Sequence, residues 1–349
     1  MSPRAPARMT VPELVDWKGK GRRIPVLTCY DATFARILDQ CRIPVLLVGD
    51  SLGQVILGHE STLPVTLEAM IHHTRAVSRA RPWGLVVADM PFLSFQVSPE
   101  RALEAAGRLV REGRADAVKI EGGERSAAAV RMLVDAGIPV MGHLGLTPQS
   151  ILAFGGYGVR GRAAGEGEAI RRDARALEQA GCFAIVLEAI PAALAREITG
   201  ALRIPTIGIG AGPGCDGQVL VLYDMLGLFT EFKPRFVRRF VEGAEVVAGA
   251  VRAYAEAVAA GEFPAPEHCA DPAGPVAEAP AGSAADKAAG PAREAQAGSV
   301  ADKAAGPAGE APAGPAVGGR EASAPKASPG RGAEGPSGPR QRRGQGGAA

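Results

Sequence analysis

Asparagine is absent from this 349-residue chain, cysteine occurs five times and aromatic residues make up only 5%. Each shortage removes a class of explanation. Cys29, Cys41, Cys182, Cys215 and Cys269 are odd in number, widely separated and never spaced as Cys-x-x-Cys. That pattern argues against a disulfide framework and against a structural zinc site. Cys29 and Cys215 fall near predicted strand ends, where a reactive thiol is conceivable, but both read better as small buried hydrophobes. No apolar run approaches the ~18–20 residues of a membrane span. The opening Met1-Ser-Pro-Arg-Ala-Pro-Ala-Arg8 is positively charged without an apolar stretch after it. No secretory signal is therefore expected, and the expected compartment is the cytoplasm. Net charge is only +2 with 46% apolar residues, an ordinary globular average that calls for neither nucleic acid nor a membrane surface as partner.

That average conceals two populations. No aromatic residue follows Phe263, and from Pro264 to Ala349 the chain is almost entirely Ala, Gly, Pro and Ser with scattered charge. Such a segment buries too little apolar surface to offset its ordering entropy, roughly 1–2 kcal/mol per residue for the backbone. Residues 263–349 are expected to be a disordered tail. The tail also repeats itself: Ala281–Glu294 recurs, nearly unchanged, as Ala297–Glu310, sixteen positions on. A repeat without an apolar face is not a solenoid unit. Arg320, Lys326, Arg331, Arg340, Arg342 and Arg343 make its end mildly basic. A polyanion-contacting arm is one reading, and a solvated low-complexity extension is the preferred one.

What is present lies before Phe263. Between Ile24 and about Leu228 apolar runs alternate with helical patterns. Strands are predicted at Ile24–Tyr30, Pro44–Gly49, Leu85–Asp89, Ala117–Glu121, Pro139–His143, Phe183–Glu188, Pro205–Gly210 and Val219–Tyr223. Most are continuously apolar, as strands buried on both faces read. Helices are predicted at Ala32–Asp39, Thr66–Ala80, Ser98–Glu112, Ser126–Asp135, Gly167–Gln179 and Ala192–Thr199, with Thr66 and Ser98 as N-caps and Pro99 in the first turn. Gly113, Gly137 and Gly181 stand where a glycine ends a helix. Eight strands alternating with helices predict an α/β fold, a (β/α)8 TIM-type barrel over residues 24–262, with residues 1–23 packing on it. An open doubly wound sheet is the competing arrangement. A helix over Phe236–Ala260 would close the outside, with Val237, Phe240, Val241 and Ala244 on one face.

The chemistry sits at the strand ends. Successive runs terminate in Asp50-Ser51, Asp89, Lys119-Ile-Glu121, His143 and Glu188, and parallel strands closed into a barrel would bring these ends to one rim. Asp50 and Asp89 are each readable as turn residues. Together, without nearby cysteines, they are hard oxygen ligands suited to Mg²⁺, which keeps waters and substrate oxygens in its shell. Lys119 and Glu121 alternate around Ile120 and so face the same way. An inward lysine needs an anion, either Glu121 or a substrate carboxylate. Gly122-Gly123 would let a ligand or backbone approach, and the glycines flanking His143 suggest clearance beside that ring. Glu188 ends the most apolar strand and suits a general base. Gly208–Gly214 is glycine-rich but lacks the context of a dinucleotide fingerprint. His59, His72 and His73 read as structural.

Seven segments together carry a resemblance: Leu27–Asp31, Val48–Gly53, Ala88–Phe92, Val118–Gly123, Gly142–Gln149, Phe154–Tyr157 and Ile209–Gly212. From about Met9 to Ala260 the chain resembles the ketopantoate (3-methyl-2-oxobutanoate) hydroxymethyltransferase family. The resemblance implies a homodecamer and Mg²⁺-dependent hydroxymethyl transfer from 5,10-methylenetetrahydrofolate to 3-methyl-2-oxobutanoate, the opening step of pantothenate synthesis. It implies metal positions at Asp50, Asp89 and Glu121. It also implies 2-oxoacid contacts at Asp50, Ser51, Asp89 and Lys119, a pocket histidine at His143 and a general base at Glu188. The chain departs from the family pattern at Gly158, where a longer, often basic side chain is expected, and in the tail. Two other readings remain: a Mg²⁺-dependent 2-oxoacid barrel of the isocitrate lyase and phosphoenolpyruvate mutase type, although no Lys-Cys-Gly-His element occurs here, and a silent barrel scaffold.

Overall fold

The structure, a computed structural model, describes residues 8–270. The duplication and most of the tail lie outside the described residues. Eight strands, β1 (Ile24–Thr28), β2 (Val45–Val48), β3 (Leu85–Asp89), β4 (Ala117–Glu121), β5 (Val140–Gly145), β6 (Ala184–Glu188), β7 (Thr206–Ile209) and β8 (Gly217–Leu220), pair in sequence order and close into a barrel. Every pairing is parallel, including the closure of β8 on β1.

Among the described residues eleven α-helices accompany the strands: α1 (Val11–Gly19), α2 (Ala32–Gln40), α3 (Leu52–Val55), α4 (Leu67–Arg79), α5 (Pro99–Arg111), α6 (Ala127–Asp135), α7 (Ile151–Phe154), α8 (Ala164–Ala180), α9 (Ala192–Ala201), α10 (Leu222–Met225) and α11 (Gly243–Ala259). Local chemistry sets their starts. Thr10 and Glu13 form a capping box on α1, the Asp31 carboxylate accepts from the N–H groups of Thr33 and Phe34, and Thr66 and Ser98 cap α4 and α5.

The period of 2 along each strand divides the core into two layers. Leu46, Val48, Val86, Val118, Ile185 and Leu187 face outward into a layer shared with Leu38, Met70, Leu109, Leu133 and Leu177 of the helices. Val45, Leu47, Leu85, Val87, Ala117, Met141, Ala184, Val186, Ile207 and Val219 form the inner cluster, which Leu14 and Trp17 of α1 join. The next residues on that inward parity are Asp89, Lys119 with Glu121, His143 and Glu188. The fold therefore switches from hydrocarbon to ionisable groups within one inward-facing set.

Three expectations need correction. The last strand begins at Gly217, two residues before the predicted start. Gly217 lies so close to β1 that an added Cβ would stand 2.3 Å from the Ile24 carbonyl oxygen, and its lack of a side chain hid it from a hydropathy reading. Leu222 then donates its N–H to Thr28 Oγ1 and opens α10 instead of prolonging the strand. Gly113 does not take the left-handed conformation that Gly137 and Gly181 adopt; Arg114 does, at φ 61°. Finally, Phe236–Glu242 is not helical, and α11 buries only Gly243. Of the four residues placed on one closing face, Val237 is buried, whereas Phe240 and Val241 are exposed.

Candidate active site

Strand register decides which rim groups meet. Asp89 lies beside Lys119, Glu121 beside His143, and Gly145 beside Glu188. Asp50 follows β2 directly, and its backbone N–H donates to Asp89 Oδ2 at 3.1 Å. Gly49 permits this turn, since a Cβ there would stand 2.7 Å from Ser51 Oγ. Asp50, Ser51, Asp89, Lys119, Glu121, His143 and Glu188 all line one cavity of about 440 Å³, within the usual range of small-molecule sites. All the site residues expected from sequence are thus brought together.

The contacts are dense. Lys119 Nζ stands 3.1 Å from Asp89 Oδ1 and 3.2 Å from His143 Nδ1, so the partner of the inward lysine is Asp89 rather than Glu121. His143 Nδ1 is 3.4 Å from Glu121 Oε1, and its Nε2 is 3.0 Å from Glu188 Oε2. Lys119 with Asp89 Oδ1 and Glu188 with His143 Nε2 are therefore close charged contacts. Both atoms are buried without a hydrogen-bond partner among the described residues. Such atoms are normally satisfied, and here each is held by its charged neighbour, Asp89 Oδ1 by Lys119 and His143 Nε2 by Glu188.

Burial shapes the electrostatics. The Asp50 carboxyl is held well above the usual carboxylate range by desolvation and by Asp89 and Glu121, with Lys119 and Gln149 opposing. Asp89 is raised by burial against the pull of Lys119. Burial alone would lower Lys119, but Asp89, Glu121 and Asp50 raise it above its ordinary value. At His143, burial and Lys119 disfavour the proton, yet hydrogen-bonding interactions with Glu121 and Glu188 prevail and push its pKa up to about 9. A cavity that holds several acids around one lysine favours an added cation. Asp50 and Asp89, two buried carboxylates with no thiolate beside them, fit a hard divalent ion that takes its remaining ligands from substrate and water. Among the described residues no three His, Cys, Asp or Glu groups converge into a ready metal cage.

Gln149 ties the acidic groups together, a place that its sequence position alone does not reveal. Its backbone N–H donates to Glu121 Oε2 at 3.0 Å, and its Nε2 donates to Asp50 Oδ2 and to the Met90 carbonyl, both at 2.9 Å. Gln96 Nε2 donates to Gln149 Oε1, so the amide orientation follows from its neighbours. The only sequence signal was its place at the end of the Gly142–Gln149 segment. Tyr30 was likewise missed; its hydroxyl lies 2.9 Å from Ser51 Oγ.

The glycines serve packing rather than ligand clearance. A Cβ on Gly142 would stand 2.6 Å from Leu177 Cδ1 of α8, and one on Gly123 would stand 2.0 Å from the Asp173 carboxyl. Gly210, at φ 62°, lies under the Phe236 ring, consistent with Gly208–Gly214 not being a nucleotide loop. A Cβ on Gly158 would meet nothing within 4 Å, so the longer side chain expected there would face open space. Cys29 and Cys215 are buried, and desolvation pushes the Cys29 thiol up to about 12.

A closed parallel barrel with acids, a lysine and a histidine gathered in a cavity at the carboxyl ends of its strands defines an enzyme of the (β/α)8 class. Residues 8–266 match the family model described as ketopantoate hydroxymethyltransferase. The 3-methyl-2-oxobutanoate hydroxymethyltransferase of Moorella thermoacetica is 55% identical over 262 residues, covering 75% of this chain and 97% of the relative. Its counterpart in Magnetococcus marinus is 54% identical over 261 residues, with coverages of 75% and 97%. The chain belongs to the ketopantoate hydroxymethyltransferase family, whose members are transferases. Among solved structures, a phosphonopyruvate hydrolase complexed with oxalate and magnesium superposes with a TM-score of 0.50 at 12% identity, covering 74% of this chain and 93% of the other. That likeness concerns the fold. No helix of the described residues is long and apolar enough to cross a membrane.

Proposed function

We propose that the chain catalyses Mg²⁺-dependent transfer of a hydroxymethyl group from 5,10-methylenetetrahydrofolate to 3-methyl-2-oxobutanoate. The products are 2-dehydropantoate and tetrahydrofolate, in the opening step of pantothenate synthesis. The observation carrying this reading is the convergence of Asp50, Asp89, Lys119, Glu121, His143 and Glu188 in one cavity. Asp50 and Asp89 would hold the cation, with Glu121 facing it directly or through water. Bound Mg²⁺ supplies Lewis acidity toward a keto oxygen. Ser51 and Lys119 bind the oxoacid, and Lys119 offsets its carboxylate charge. Glu188 takes the proton from C3, and His143 Nε2, 3.0 Å away, orients that carboxylate. Water adds to the methylene carbon of the donor and both of its C–N bonds break, the two nitrogens taking the protons of that water. The one-carbon unit is thereby released as formaldehyde and the folate as tetrahydrofolate. The enolate carbon attacks the formaldehyde carbon, and the resulting alkoxide takes the proton that Glu188 removed from C3 and becomes the hydroxyl.

The test is formation of hydroxymethylated oxoacid with and without methylenetetrahydrofolate, each with and without a chelator. Product requiring both folate and divalent cation supports the reading. Folate-independent cleavage of an acid would favour a lyase or mutase, and a chain inert under all conditions would favour a scaffold.

The reading includes a cytoplasmic homo-oligomer, a decamer by the family resemblance. Val247, Val251, Tyr254 and Val258 form an exposed apolar stripe along α11, spaced as a helix–helix seam, and support a further copy covering it. Sedimentation velocity measures this directly, and a monomer at micromolar concentration would contradict it.

A further inference from the structure

Part of the cavity lining takes no part in the oxoacid chemistry proposed above. The acidic groups come from β2 to β6, whereas Phe229, Phe232 and Phe236 follow β8 and line the same cavity. Phe236 packs on Gly210, just beyond β7, so the aromatic residues belong to the β7–β8 arc of the rim. Asp224 of α10 lies in that arc and also lines the cavity. It is only 9% exposed, yet its carboxylate has no hydrogen bond or salt bridge among the described residues. The guanidinium of Arg239, the cation nearest in effect, pairs with Glu242. Buried carboxylates of structural purpose are paired or cap a helix, and Asp224 does neither. Burial pushes its pKa up to about 6, with Arg239 opposing, so it is ionised at pH 7.5 and able to accept hydrogen bonds.

We propose that this aromatic arc seats the planar ring of the one-carbon donor, with the Asp224 carboxylate accepting the paired N–H donors of an aminopyrimidinone. The proposal rests on the folate-dependent reading above. Two parallel N–H groups match two carboxylate oxygens in the geometry that makes charge-assisted bidentate pairs strong and directional. Aromatic side chains stack on a heteroaromatic face.

Calorimetric titration of the full-length protein with 6-methyltetrahydropterin, the ring without its tail, and with tetrahydrofolate tests the subsite. Asp224→Asn is expected to weaken both ligands about 10- to 100-fold, the scale of hydrogen bonds to a charged group. Phe232→Ala, at a 64% exposed side chain, is expected to weaken both about 10-fold, the scale of ring stacking. Affinity for 3-methyl-2-oxobutanoate should move less than about threefold in either variant, well under the change for the ring. Loss of tetrahydrofolate affinity alone would place Asp224 against the tail and overturn the assignment, as would unchanged affinity for both ligands. If Asp224→Asn does not fold, Phe232→Ala decides, and unchanged ring affinity there overturns the proposal. A wild-type chain that makes folate-dependent product alongside a normally binding Asp224→Asn refutes the subsite alone. A wild-type chain without such product refutes the function beneath it.

Discussion

Replacing Lys119 by methionine keeps the side chain's length and removes its charge. The Lys119 residue is 5% exposed, and its ammonium is 3.1 Å from Asp89 Oδ1. Two unit charges at that separation attract by about 5 kcal/mol at an effective dielectric of ~20, and desolvation of both cancels part of it. Removing one member of a buried pair costs roughly 3–5 kcal/mol, because the remaining charge is left uncompensated. The cost depends on pH. Asp50 and Asp89 are already raised by burial, and Lys119 opposes the rise in both. Without Lys119 their folded-state pKa values climb further, so the folded protein holds protons that the unfolded chain has released. Stability of the variant therefore falls as pH rises, and the gap from wild type widens between pH 5 and pH 8. Urea unfolding with a chelator present, followed by Trp17 and Trp83 fluorescence at one fixed protein concentration, measures that gap. A difference below ~1 kcal/mol, the scale of a surface ion pair, or one identical at both pH values, would refute the compensating role of Lys119.

Three further outcomes follow from the same geometry. Glu188→Gln should lower turnover at least ~10²-fold, the scale of acid–base groups, while leaving the circular dichroism spectrum unchanged; near-normal turnover removes Glu188 as the base. Gln149→Leu leaves Asp50 Oδ2 and the Met90 carbonyl without this donor, and should cost roughly 1–3 kcal/mol in urea unfolding together with a measurable loss of kcat/KM. Asp224, near pH 6 when folded against ~3.9 unfolded, keeps its proton in the folded state across that window. The contribution of Asp224 to stability therefore declines as pH rises from about 4 to 6, and Asp224→Asn lacks that component. The variant should gain about 1–2 kcal/mol on wild type by pH 7, a figure reduced for residual solvation; equal pH profiles would contradict it.

The architecture and the gathering of these ionisable groups in one cavity are legible in the sequence for one reason. Strands buried on both faces leave uninterrupted apolar runs, so the ionisable residue ending each run marks a rim position. Asp89, Lys119, Glu121, His143 and Glu188 were found in this way, and strand register then placed them side by side. What stayed hidden depended on three-dimensional approach. Gln149 joins Asp50 to Glu121 only because the turn after β5 folds back over the rim. Gly217 is part of a strand because its backbone must nearly touch Ile24, a demand invisible to hydropathy. Gly142 is small for the sake of Leu177 on α8 rather than for a ligand. Phe236–Ala260 reads from sequence as one closing helix, but Val247, Val251, Tyr254 and Val258 of α11 stay exposed, and hydrophobicity alone does not say what an apolar residue packs against.

The most direct measurement is anomalous diffraction from crystals grown with Mn²⁺ in place of Mg²⁺ and with 3-methyl-2-oxobutanoate. The account predicts one strong peak within coordination distance of both the Asp50 and Asp89 carboxylates, with the oxoacid bound beside it and Lys119 near its carboxylate. A peak elsewhere on the molecule, or oxoacid density in the cavity with no ion between those two carboxylates, would contradict it.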